Sequence, residues 1–154
     1  MKRFFFLFLI ILVFVLDRAL KILISNQTEQ VFFLIPRIFG FSFFKNYFLA
    51  FSMPFAGRTI ILTISALIIM AIIVLSAKKI KQKKYFSFCA GLSIILGALS
   101  NFFDRAASGY VIDYFFLAPI SRFNLADLLI GAGIILLIKE EYVNQNTSRG
   151  LKRP

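Results

Sequence analysis

The sequence predicts an all-α membrane protein with four transmembrane helices, and three observations carry that prediction. Hydrophobic residues fill 60% of the 154 positions, with 21 Phe among them, and the mean hydropathy is +0.86. Soluble globular chains lie far below such values. The apolar residues gather into four long runs, and at about 20 residues per spanning helix the length has room for four spans with short loops. No space is left for a further soluble domain. Basic residues collect at the ends of the runs, as Met1-Lys2-Arg3, as KKIKQKK from Lys78 to Lys84, and as Arg149, Lys152 and Arg153.

The first helix is expected over about 4–24. MKRFFFLFLIILVFVL also suits a cleaved signal peptide. No small-x-small site follows it, however, and Asp17 and Lys21 come directly after, so a retained helix is the better reading. A loop over about 25–58 follows, with only Arg37, Lys45 and Arg58 as basic residues. Inside it, FGFSFFKNYF (39–48) is aromatic and partly alternating, which fits short strands or an interfacial patch. The second helix is expected over 59–77 and the Lys loop over 78–84. The third covers 85–103, where Gly91, Ser93, Gly97, Ala98 and Ser100 suit close helix packing. A loop over 104–123 leads to the fourth helix at 124–141, in which Gly131 and Gly133 are expected to pack likewise. The stretch 144–154 reads as a loose polar tail.

The positive-inside rule places both termini and the Lys loop in the cytoplasm, and the loops 25–58 and 104–123 on the opposite side. Asp17, Lys21, Asn46, Asp104, Asp113 and Asp127 then converge on one membrane face. Binding of anionic lipid is a second reading of KKIKQKK, but orientation alone accounts for it. A net charge of +11 would suit nucleic acid, yet its placement at helix ends argues for the membrane and against that partner. There is no His, and Cys89 is the single Cys. Intramolecular disulfides, His-containing metal sites and imidazole-based triads are therefore excluded.

Three of the seven acidic residues fall in the window Asn101–Asp127, where charge near a bilayer core reads as functional. Asp17 and Lys21 share a helix face and can pair, either as a tolerated ion pair or as site-shaping groups. Asn101 and Arg105 are likewise one turn apart. Asp104 reads as a partner of Arg105 or a helix-end residue, on a different face from Asn101. Asp113 lies in the apolar run VIDYFF, where desolvation raises a carboxyl pKa. Asp127 opens the fourth helix, three residues after Asn124. Two carboxylates sharing a site do not both ionise easily, so one holds a proton while the other acts as base. Such a pair can activate water against a carbonyl and protonate the leaving amine. Each Asp alone also suits a helix cap, and spacing does not show that the two meet.

Five blocks in order carry a resemblance: Asp17-x-x-x-Lys21, Asn46-x-x-x-Ala50-Phe51-Ser52, Asn101-Phe-Phe-Asp104-Arg105, Val111-Ile112-Asp113-Tyr114 and Phe123-Asn124-Leu125-Ala126-Asp127. With the four apolar runs, they make nearly the whole chain resemble the lipoprotein signal peptidases, the aspartyl signal peptidase II family. The resemblance implies Asp113 and Asp127 as catalytic aspartates. It implies Asp17, Lys21, Asn46, Asn101, Arg105 and Asn124 as groups that shape the site and hold substrate. It further implies a small extracytoplasmic β-cradle between the first and second helices, from the region around 28–58. The implied substrate is a bacterial prolipoprotein whose lipobox Cys carries diacylglyceryl, cut just before that Cys in the cytoplasmic membrane. Membrane lipid is the other partner, the expected state is a monomer, and no metal or organic cofactor is implied. Phe48 stands where the family usually has Gly, and Ser100 where a smaller residue is common. Two rival classes are an ion- or proton-coupled transporter subunit, relaying through the same charges, and a serine–lysine peptidase using Ser42 with Lys45.

Overall fold

The computed structural model describes residues 2–25, 32–47, 57–119 and 121–150. Phe48 and the Ala50–Ser52 part of the second block lie outside them. In chain order the elements are α1 (Lys2–Ser25), β1 (Phe32–Ile35), β2 (Phe39–Asn46), α2 (Arg58–Lys81), α3 (Tyr85–Ser108), β3 (Val111–Leu117), β4 (Ser121–Phe123) and α4 (Leu125–Gly150). The architecture is mostly helical, with one four-stranded antiparallel sheet in the order β1-β2-β3-β4.

α3 is the hub and packs against each of the other three helices. Its buried face holds small and polar residues, including Ala90, Gly91, Ser93, Gly97, Ser100, Asn101 and Asp104. Backbones approach closely there. A Cβ on Gly97 would overlap the Ala126 carbonyl oxygen, and one on Gly133 would press on Ala90 and Ile94. The Ser93 hydroxyl donates to the Leu129 carbonyl at 2.8 Å, a second tie between α3 and α4. Gly131, expected to pack in the same way, faces open space.

Several boundaries move relative to the sequence expectation. α3 runs on to Ser108 because no breaker intervenes before Gly109, whose φ of +84° gives the left-handed cap a helix end favours. Asp104 and Arg105 are therefore helical. α2 continues into the expected Lys loop, where Lys78, Lys79 and Lys81 suit the negative end of the helix dipole. α4 extends to Gly150, so most of the expected loose tail is helix. The sheet also differs. β3 and β4 come from the stretch expected as the loop 104–123, so the cradle is shared between two connections rather than confined to the first.

By length and composition, α2 and α3 are apolar enough to cross a membrane. Large apolar side chains on α1 and α2, such as Phe4, Phe8, Ile22, Leu67 and Met70, lie exposed. So wide an apolar exterior is foreign to a soluble monomer.

Candidate active site

The candidate site forms where the C-terminal ends of α1 and α3 and the start of α4 meet β3. At the start of α4, Asn124 and Asp127 bond reciprocally. The Asp127 amide donates to Asn124 Oδ1 at 2.9 Å, and the Asn124 amide donates to Asp127 Oδ2 at 3.2 Å. This is a capping box written with Asn and Asp. The two preceding helical amides are met from elsewhere in the chain. Leu125 N–H donates to the Tyr114 hydroxyl at 3.0 Å, and Ala126 N–H donates to Asp17 Oδ1 at 3.1 Å. The first turn of α4 is thus held by α1, by β3 and by its own cap residue, which leaves none of these N–H donors bare.

Asn124 also ties Asp127 to Asp113. Its amide nitrogen donates to Asp113 Oδ1 at 2.8 Å, while the Asn46 amide donates to Asp113 Oδ2 at 2.8 Å. Register explains the second bond: Asn46 pairs with Val111, and Asp113 follows two residues later on the same strand face. Strand alternation sends Tyr114 the other way, where its hydroxyl donates to Asp17 Oδ1 at 2.8 Å. Asn101 completes the circuit, donating to Asp127 Oδ1 at 2.8 Å and accepting from Lys21 Nζ at 2.8 Å.

Beneath this layer lies a cluster of charge, in which Asp17, Lys21 and Asp104 are buried and Arg18 is half-buried. Lys21 is 3.1 Å from Asp17 and 2.8 Å from Asp104, and Arg18 is 2.5 Å from Asp104. Two cations thus face two carboxylates, the balance that makes burial of such groups tolerable. Ser100 sits among them, donating to Asp17 Oδ2 at 2.5 Å and accepting from Lys21 and Arg18. Asp104 Oδ2 also accepts the Ile112 amide at 3.3 Å, tying α3 to β3.

Burial pushes the Asp113 carboxyl up to about 6. The nearby Asp127 charge adds to that, while the amides of Asn46 and Asn124 and the Lys21 charge oppose it. Burial and then the Asp17 carboxylate push the Tyr114 hydroxyl far above its ordinary value, so it stays protonated and donates.

All eight residues singled out in the sequence fall in or beside this network. Arg105 reaches the Asn101 carbonyl at 3.5 Å and lies within electrostatic range of Asp127 and Asp113. Arg105 also feels the Asp104 charge, but Asp104 forms its ion pairs with Arg18 and Lys21. The expectation of separate faces needs correction, since Lys21 bonds Asn101 as well and the two residues, one turn apart on α3, serve one cation. Tyr114, Arg18 and Ser100 were missed as contributors. A charge beside Asp17 in an apolar helix, and a hydroxyl beside Asp113 in an apolar strand, were the available signals. Ser42 and Lys45 do not come together: Ser42 is buried in β2, while Lys45 lies exposed over the rings of Phe43 and Tyr110.

The chain is similar to known proteins in both sequence and fold. Residues 9–143 match the family described as signal peptidase (SPase) II. The lipoprotein signal peptidase of Caldicellulosiruptor bescii is 32% identical over 129 residues, covering 80% of this chain and 81% of the relative. That of Lactococcus lactis subsp. lactis is 30% identical over 145 residues, covering 89% and 93%. Two solved structures of bacterial membrane enzymes superpose with TM-scores of 0.79 and 0.74, at 24% and 25% identity. The first covers 97% of this chain and 93% of its own, the second 88% and 90%. Fold and likeness together define a membrane enzyme of the aspartic peptidase class. The chain belongs to the signal peptidase II family.

Proposed function

We propose that this protein removes the signal peptide from prolipoproteins whose lipobox Cys carries diacylglyceryl, cutting just before that Cys, with Asp113 and Asp127 as the catalytic pair. The observation that carries the assignment is Asn124, which bonds both carboxylates and so holds β3 and the start of α4 as one unit. One carboxyl keeps its proton while the other is ionised, and the pair titrates together. The ionised member takes a proton from water as the water oxygen attacks the carbonyl carbon preceding the Cys. The protonated member donates to the carbonyl oxygen as it gains charge. Collapse of the tetrahedral species breaks the C–N bond: the proton taken from water passes to the departing Cys nitrogen, and the proton on the former carbonyl oxygen returns to the carboxylate that gave it.

The remaining residues position the pair. Asn46 and Asn124 fix the Asp113 carboxyl, and Asn101 fixes Asp127 while leaning on Lys21. Asp17 anchors the first turn of α4. Arg105 supplies positive charge near both acids.

All four helices are taken as spans in this reading, with the charges of α1 and α4 paired inward or placed at the ends. Both termini and the Lys loop face the cytoplasm, as the basic residues favour, and the sheet lies on the opposite face as one peptidase domain with the helices. The enzyme works as a monomer surrounded by lipid. Its substrate enters sideways, so the acyl chains never leave the bilayer. Purified protein, incubated with a diacylglyceryl-modified lipobox peptide and read by mass, should give one cut immediately before the modified Cys. An intact peptide, with ion flux in liposomes instead, would replace this reading with the transporter.

A further inference from the structure

α1, α3 and α4 enclose a half-open cavity of about 740 Å³ that runs from the first residue of α4 to the start of α3. Its volume lies within the range of about 300–1,000 Å³ common to small-molecule sites. Leu9, Val13, Phe86, Leu128 and Leu136 form apolar walls, and Leu125, the first residue of α4, closes one end. Lys83 and Lys84 stand at the other end, where α3 begins. That helix start has no side-chain cap at Lys84 and no acidic residue in its first turn. Glu140, the carboxylate bonded to Ser87, lines a different cleft between α2, α3 and α4.

An apolar trough ending in two lysines and the positive end of a helix dipole matches a molecule with a long hydrocarbon and an anionic head. We propose that this groove binds one anionic glycerophospholipid, its acyl chain along Leu128 and Leu136 and its phosphate on Lys83 and Lys84. The inference rests on the reading of these helices as membrane spans. A signal peptide is the disfavoured occupant, because its positively charged leading segment would meet the five lysines of 78–84. A lipid seated here braces α4, the helix that presents Asp127.

The test is native mass spectrometry of the purified, delipidated protein, offered phosphatidylglycerol and phosphatidylcholine of identical chains. One phosphatidylglycerol should be retained, favoured about tenfold or more, as two lysines at a lipid headgroup imply. The double variant Lys83→Gln with Lys84→Gln should bring the ratio close to one, whereas Lys79→Gln with Lys81→Gln should leave it intact. Ala132→Phe, which fills the groove, should abolish retention of either lipid with the unfolding midpoint preserved. Equal retention of both lipids, or a preference that survives the Lys83/Lys84 variant, would overturn the proposal. Displacement of phosphatidylglycerol by lipidated substrate peptide, one for one, would assign the groove to the peptide instead. Whether the chain leaves membranes only with detergent reports separately on the spanning reading.

Discussion

α2 and α3 have the same length, 24 residues, and both are apolar enough to cross a membrane. Yet they do opposite things. α2, the more apolar of the two, buries only Ile61, Ile69 and Ser76 among its described residues, while α3 buries ten, most of them small or polar. In lipid an outward Leu loses nothing relative to an inward one, so hydrophobicity does not choose the interior. Close backbone approach and paired polar groups choose it. α3 carries Asn101, Asp104, Ser93 and Gly97 and becomes the hub; α2 carries Ile and Leu and stays at the periphery.

Substitutions on either side of this contrast should differ in size. The largest loss is expected from Lys21→Met, which removes a buried cation shared by Asp17, Asp104 and Asn101. Breaking such a cluster costs about 3–5 kcal/mol, measurable by denaturant unfolding in detergent, and a loss under 1 kcal/mol would show that the cluster is not structural. Next comes Gly97→Leu, which drives a side chain into the Ala126 carbonyl and Ile130. Overpacking of this kind costs about 1–3 kcal/mol, and displacement of Asp127 should slow lipopeptide cleavage as well.

A smaller, more diagnostic effect is expected from Asn46→Ala. The Asn46 amide donates to Asp113 Oδ2 and so favours its ionised form. Losing it should raise the Asp113 pKa beyond about 6 and move the alkaline limb of the kcat/KM profile to higher pH. For stability the sign is fixed by the same shift. A carboxyl raised by folding stabilises the fold below the ordinary carboxylate value, about 4, and that contribution disappears as pH rises through about 6. The smallest effect belongs to α2: Leu67→Ala, at a position 65% exposed, should change stability by no more than about 0.5 kcal/mol.

The same contrast explains what the sequence could reveal. Apolar runs and Lys clusters mark four helices, and polar residues in and between them mark the candidate site, because charge in an apolar run stands out. Strands β3 and β4 do not stand out: VIDYFF is an apolar run like its neighbouring helices, and pairing with β2 and β4 makes it a strand. Nor could spacing show that Asp17 would cap α4, since Asp17 and Ala126 are 109 residues apart. For Asp104 the sequence offers only its neighbour Arg105 or a helix-end role, because local partners are visible in a sequence, and Arg105 does feel its charge. Its ion pairs with Arg18 and Lys21 on α1 are made by packing.

The central claim is that Asp113 and Asp127 act as one unit in peptide cleavage. It is tested most directly by single-turnover cleavage of a lipidated lipobox peptide with Asp113→Asn, Asp127→Asn and the double variant, each checked for an unchanged unfolding midpoint. Each single variant should lose a factor of about 10²–10⁴ in rate, and the double should be no slower than the worse single. A single variant that cleaves at the unsubstituted rate, or losses that multiply in the double, would contradict the account.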